Sequence, residues 1–401
     1  MRIISMKRLL FQAGALGGLI VLLSACAGAS ANQGQAHAPS AAPPHSGAAT
    51  AKPTASASPG IGLGPQACPI LVKNPTYWDP IIPTQSGVSQ VKSVTCGYLK
   101  GMSTLQALVT VLYSGTGAKL DIYVYDNLNN AAPAQIFKLQ NLLMGAAKIS
   151  GYNTVETAEV DQTSSQNVNQ GSDAWTPDLF REFKWSDGAG TLVQVAFPGI
   201  FPDLTRYQAE ADQAQVNQGH QPWKLSPTRT AQAFGASLLQ WDPNATATLI
   251  SSGGASDTQA VVSLKNTAKP AGNGVTLSLS RLEGNTNGGI WIVIDVETTG
   301  LSITQPQSGA IIHRTTTVTG TGSAFEGVIG PVTVLDHLYT DIGRATAHGS
   351  TGNGATTFKT TVTAQPTFKN GAEEGLVMLT LTSNANGGVA GAVIVKILIQ
   401  E

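Results

Sequence analysis

Two groups of acidic and basic residues could supply the carboxylate pair that hydrolytic chemistry needs. Asp178, Arg181 and Glu182 lie in Pro177-Asp178-Leu179-Phe180-Arg181-Glu182-Phe183, and Asp203, Arg206 and Glu210 follow within Pro202 to Glu210. Two carboxylates across a cleft can serve as general acid and base, or as acid and nucleophile, on a glycosidic bond. Trp175, Trp185, Tyr207 and Trp223 could line such a cleft for a sugar or peptide. The plainer reading is local pairing on helix starts and surfaces, with the rings in the core. Nothing in the spacing makes the two groups converge, so the sequence favours that reading. Asp178, Glu182, Asp203 and Glu210 stand as candidate binding residues, and no catalytic residue is assigned.

The remaining polar constellations point away from a metal or cofactor. His313, His337 and His348 follow neither an HxH nor an HExxH pattern, so structural or surface roles are expected. Asp336-His337 suggests a Ser-His-Asp arrangement, yet no Gly-x-Ser-x-Gly elbow supplies the nucleophile. Asp121, Asp126 and the stretch Asn127 to Asn130 lack the calcium-loop pattern and read as a turn. Gly284 to Gly289 has no following lysine of the phosphate-loop kind and reads as a hairpin turn.

The cysteines are more specific. Arg2, Lys7 and Arg8 form a basic start, followed by an apolar run from Phe11 to Leu23. That run is too short to cross a hydrocarbon core of ~30 Å, and its flanks are those of a signal peptide. It ends in Leu23-Ser24-Ala25-Cys26, which resembles the bacterial lipobox: an aliphatic residue, two small residues and a cysteine. The resemblance implies cleavage after residue 25 and lipid on the Cys26 thiol, with a second acyl chain needed for firm anchoring. Cys68 and Cys96 are then the only other cysteines. In an oxidising compartment they are expected to form a disulfide, worth roughly 3–4 kcal/mol in the chain-entropy model.

Composition agrees with export. The chain has 23 basic and 24 acidic residues. Removing Arg2, Lys7 and Arg8 leaves 20 against 24, a balance of −4. No basic stripe remains to attract nucleic acid.

These features must be held by an ordered body. Residues 26–66 comprise the lipidated cysteine and an Ala/Pro/Ser/Gly linker that is expected to stay disordered, with an r.m.s. span of about 35 Å. Residues 67–225 read as an α+β domain. Leu105 to Leu112, Leu120 to Tyr125 and Leu192 to Phe197 have strand patterns, and Ile136, Leu139, Leu142 and Leu143 repeat at helical spacing. Thr205 and Gln208 form a capping box for a helix in which Arg206 and Glu210 can pair along the surface. Ser226-Pro227 caps another helix. Residues 226–300 then read as a small antiparallel β domain with strands near 261–264, 275–279 and 290–294.

From about Leu301 to the end, short strands alternate with polar turns, the pattern of a β-sandwich. Ile303-Thr304-Gln305-Pro306-Gln307-Ser308-Gly309 and Val318-Thr319-Gly320-Thr321-Gly322-Ser323-Ala324-Phe325-Glu326-Gly327 resemble the immunoglobulin-like domain first noted in bacterial spore-germination proteins. Phe358, the strand Leu376 to Leu381 and the stretch Ala392 to Ile399 fall where that family's later strands would. The resemblance implies an immunoglobulin-like sandwich over residues 301–401 that serves as an accessory module without enzymatic activity. The fold class expected is therefore multidomain: an α+β domain, a small antiparallel β domain and a C-terminal immunoglobulin-like β-sandwich. The expected function is a lipid-anchored, extracytoplasmic, non-catalytic binding or scaffolding protein of the bacterial cell envelope. Its expected partners are the membrane and an envelope protein or glycan. The alternative is an envelope hydrolase using the carboxylates of residues 178–210.

Overall fold

Runs of apolar residues too short for helices, bounded by turn formers, set up most of the fold as antiparallel sheets. The computed structural model describes residues 62–401 except 116, 131, 267–273, 285–287, 324–325, 351–354, 367 and 384–387. The expected signal peptide, Cys26 and nearly all of the expected linker lie outside the described residues.

Sheet I is a meander of β1 (Pro65–Gln66), β2 (Ser89–Gly97), β3 (Gln106–Tyr113), β4 (Leu120–Asp126) and β5 (Ala134–Leu142), paired in that order. A one-turn helix, α1 (Ile70–Lys73), lies between β1 and β2, and Cys68 is disulfide-bonded to Cys96 at the end of β2. The central strands are apolar on both faces because both faces are covered. Val109, Val111, Tyr123 and Tyr125 pack with Trp78 on one side; Leu108, Ile122 and Val124 face sheet II on the other.

The helix expected around Ile136 to Leu143 is instead strand β5. Its register against β4 jumps from Ile122↔Leu139 to Leu120↔Leu142, so Gln140 and Asn141 bulge out. The buried Asp121 carboxylate holds the bulge, accepting from the Asn141 N–H at 2.8 Å and from Gln140 Nε2 at 2.7 Å. The bulge breaks strict alternation and makes the apolar spacing imitate a helix.

Sheet II contains β6 (Ala146–Ile149), β7 (Val155–Glu159), β8 (Leu179–Ser186) and β9 (Thr191–Val195), again in chain order. The stretch around Asp178 to Glu182, expected at a helix start, is the beginning of β8. Alternation sends Leu179 and Phe183 into the interior, with Phe183 packing against sheet I, and it turns Phe180 and Glu182 toward α2 (Arg206–Asn217). Both faces of the strand are covered, which is why no simple apolar pattern marks it. α2 begins with the expected capping box: Gln208 N–H donates to Thr205 Oγ1 at 3.3 Å, and Thr205 N–H to Gln208 Oε1 at 3.2 Å. α3 (Pro227–Leu238) follows, capped by Ser226.

β10 (Thr246–Ser252), β11 (Gln259–Lys265), β12 (Val275–Ser280) and β13 (Ile292–Glu297) form a second meander, with Ala231 and Phe234 of α3 buried against Val262, Leu264 and Leu277. The C-terminal sandwich consists of β14 (Ser302–Gln305), β15 (Ala310–Ile312), β16 (Thr315–Ser323), β17 (Val328–Leu335), β18 (Asp341–His348), β19 (Ala355–Thr363), β20 (Ala372–Thr382) and β21 (Val389–Gln400). One layer runs β14-β16-β19; the other contains β21-β20-β17-β18. Val318, Phe358 and Val362 meet Val332, Val377, Leu379 and Ile397 between the layers.

The middle and C-terminal stretches share a sheet. β13 meets the first half of β21 at Val296↔Ile394, while β15 runs parallel to its second half, so one run of strands extends from β10 to β18. Thr298 reinforces this seam: its Oγ1 donates to Ala392 O and accepts from Ala392 N–H, each at 2.9 Å. Residues 62–401 thereby pack as one unit.

Candidate functional site

The charged residues that suggested chemistry lie inside the body. In sheet II the strand register places Lys148, Glu156 and Glu182 in a row across β6, β7 and β8. α2 lies over that row. Arg206 and Glu210, expected to pair with one another, each reach down to sheet II instead. Arg206 Nε is 2.8 Å from Glu182 Oε1, and its Nη1 is 2.7 Å from Glu283 Oε1. Glu210 Oε2 is 2.5 Å from Lys148 Nζ, which also lies 3.0 Å from Glu156 Oε2. Thr154 Oγ1 donates to Glu182 at 2.7 Å, and the Gly151 N–H donates to Glu210 at 3.0 Å. The Arg206 guanidinium also sits 4.0 Å from the centroid of the Tyr152 ring. Burial beneath the helix makes pairing inward more favourable than a solvated pair along its surface.

The charges in this network do not balance. Glu156, Glu182, Glu210 and Glu283 face two cations, Lys148 and Arg206. Burial, with Glu210 and Glu182 as like-charged neighbours, pushes the Glu156 carboxyl up to about 7. Burial, with Glu210 and Glu156 nearby, pushes Glu283 up to about 8. Both outweigh the opposing pull of the cations, so this network holds protons near neutrality.

The other two candidates belong to separate contacts. Asp178 accepts from the Asp161 N–H at 2.9 Å and from Ser164 Oγ, and its Oδ2 is 3.9 Å from His337 Nε2. The opposite nitrogen of His337 pairs with Glu373. Burial alone would lower the His337 pKa, but the neighbouring Asp178 and Glu373 carboxylates raise it to about 10. Ser164 donates to Asp178 rather than to the imidazole, so these residues do not form a nucleophilic triad. Asp203 is buried near Lys224 and Glu283, and desolvation raises its carboxyl to about 6. Lys224 itself pairs with Asp212.

A fourth contact was not visible in the sequence. Glu374 and Lys396, neighbours on β20 and β21, are fully buried and 2.8 Å apart. Lys396 Nζ donates to Gly199 O at 3.1 Å and to Leu204 O at 2.5 Å, while Glu374 accepts from the Phe197 N–H. Close by, Arg181 pairs with Glu159 and donates to Asn370 O at 3.0 Å. The sandwich is therefore joined to the preceding residues by buried, charge-assisted bonds. Glu373-Glu374 beside a long apolar strand was the available signal: acids at inward-facing strand positions need internal partners.

Three of the four aromatic candidates make separate contacts. Tyr207 stacks on Phe180, Trp223 packs toward Phe201, and Trp185 Nε1 donates to Asp187. Asp121 and Asp126 serve internal bonds, the latter with Lys100 and Gln106.

Comparison with known families bears on the C-terminal part. Residues 301–388 match the immunoglobulin-like domain of bacterial spore germination. No curated protein matches the chain. The immunoglobulin-like domain fits a non-catalytic binding role, and its β17 and β20 border the contacts made by His337, Glu373 and Glu374.

Two outcomes follow. Arg206→Met leaves Glu182 and Glu283 buried without their cation and should destabilise the body by about 3–5 kcal/mol; denaturant unfolding of the variant measures this. The raised acids bind protons in the folded state that the unfolded chain releases from the ordinary carboxyl range upward. Their stabilisation is lost as pH rises through about 6 to 8, and that of His337 as pH approaches about 10. The melting temperature should therefore fall by roughly 5 °C or more between about pH 5.5 and 9 in a thermal scan series.

Proposed function

We propose that this chain is an exported lipoprotein, anchored through Cys26, whose body is a non-catalytic binding or scaffolding module of the bacterial cell envelope. The observation that carries the binding half is the match of residues 301–388 to the immunoglobulin-like domain. The anchoring half is supported by the basic start, short apolar run and Leu23-Ser24-Ala25-Cys26 motif. Each carboxylate proposed for hydrolysis is buried or engaged by an internal partner: Glu182 by Arg206, Glu210 by Lys148, Asp178 by Ser164, and Asp203 near Lys224. That arrangement favours positioning over bond cleavage.

In this reading the Ala/Pro/Ser-rich segment holds the body away from the bilayer, and an envelope protein or glycan is the partner. Fixed orientation of the sandwich would let it present one surface to that partner. A Cys26→Ser protein should lose lipid labelling and move from the membrane fraction to the soluble extracytoplasmic fraction. Retention in the membrane fraction would contradict the anchoring.

A further inference from the structure

The network beneath α2 balances only while it holds protons. With Glu156 and Glu283 protonated, the charges of Glu182 and Glu210 are met by Arg206 and Lys148, two against two. With all four acids ionised the count is four against two, a surplus of two negative charges in a space screened from water. Burial raises Glu156 to about 7 and Glu283 to about 8, so the surplus arises as the medium passes from mildly acidic to mildly basic.

The members differ in their freedom to leave. The side chains of Glu156, Glu182, Arg206 and Glu283 are at most 6% exposed, whereas Glu210 is 20% and Lys148 38% exposed. Lys148 Nζ lies between Glu156 and Glu210, and Glu210 also accepts from the Gly151 N–H. Gly151 belongs to the turn between β6 and β7, where Tyr152 covers the Arg206 guanidinium and donates to Leu282 O. Glu210 is thus the acid at the water-facing rim, and it ties α2 to that turn.

The helix itself is held unevenly. Only Arg206, Ala209 and Val216 of α2 are buried. Its far end is fixed without the network: Val216 joins the apolar cluster of Leu282 and Ile290, and Gln213 bonds to Gly288 O at 2.6 Å and to the Ile290 N–H at 2.9 Å. Asp212 pairs with Lys224 there. The first turns rest on Ala209, the Tyr207–Phe180 stack and the ion pairs. Asp203, just before the helix, adds a further buried acid near Glu283.

We propose that this cluster is a pH-sensitive clasp: as its acids lose their protons, Glu210 swings to water and the first turns of α2 loosen from the β6–β7 turn, while the rest of the body stays folded. Glu210 is the acid that can be hydrated without opening sheet II, and its departure leaves Lys148 to Glu156. The closed form binds the extra protons, so it is favoured at mildly acidic pH and lost as pH rises through about 7 to 8. Opening of this kind is local and draws on the least stable part of the native structure. The surface formed by α2 and the turn therefore differs between the two forms.

Hydrogen–deuterium exchange of the full chain from about pH 6 to 9, each rate divided by the intrinsic amide rate at that pH, tests the clasp. Exchange in 206–211 and 150–154 should rise several-fold across this range, while exchange in β20 stays level. Glu156→Gln cannot acquire the charge and should flatten the rise. Glu283→Gln removes the other titrating acid and should do the same, so a misfolded variant leaves the second as the test. Exchange in 206–211 that is independent of pH overturns the proposal. So does an undiminished rise in the folded Gln variants, or a parallel rise in β20, which would mark a loss of global stability.

Discussion

A lysine ammonium shut off from water is tolerated only when a carboxylate and further acceptors replace its hydration shell. Lys396 meets that condition with Glu374 and the carbonyls of Gly199 and Leu204. Glu374 in turn accepts from the Phe197 N–H. Two strands of the C-terminal sandwich thus hold the segment running from sheet II into α2. The start of α2 then places Arg206, and Arg206 joins Glu182 on β8 to Glu283 beyond β12. Breaking any one link would leave a buried charge without its partner, so the links constrain one another.

This constraint gives the acidic residues a role that their types alone do not reveal. Carboxyls raised toward neutrality in a buried setting are often the mark of a catalytic site. Here Glu156 and Glu283 sit among cations and acids brought together by sheet register and helix packing. Their raised affinity for protons follows from having more acids than cations under α2. His337 supplies a positive charge beside Asp178 and Glu373 where loop and sandwich meet. The result is an immunoglobulin-like domain held by several charged contacts as well as by the shared sheet.

Local signals were legible where one local force decides the structure. The Thr205–Gln208 capping box and the Ser226 cap start helices as read, and the alternation of Leu120 to Tyr125 gives a strand. The sandwich was legible through its turns and the stretches that resemble the matched family. β5 was not, because the Asp121-held bulge shifts its apolar residues onto a helical spacing. β8 was not, because charged residues on a strand covered on both faces resemble a solvated helix start. Asp178, Glu182 and Glu210 are tied into buried or partly buried contacts and Asp203 is buried near Lys224, but these neighbours come from remote positions. Lys148, Arg206, His337 and Lys224 are brought to them by register and packing, which short-range spacing does not encode.

The central claim is that buried charge joins the sandwich and the preceding sheets into one cooperative body. Differential scanning calorimetry of the chain from Cys26 onward tests it directly. A single transition with a calorimetric-to-van't Hoff enthalpy ratio of about 1 is the predicted result. A separate melting step for residues 301–401, with the sheets before them still folded, would contradict it.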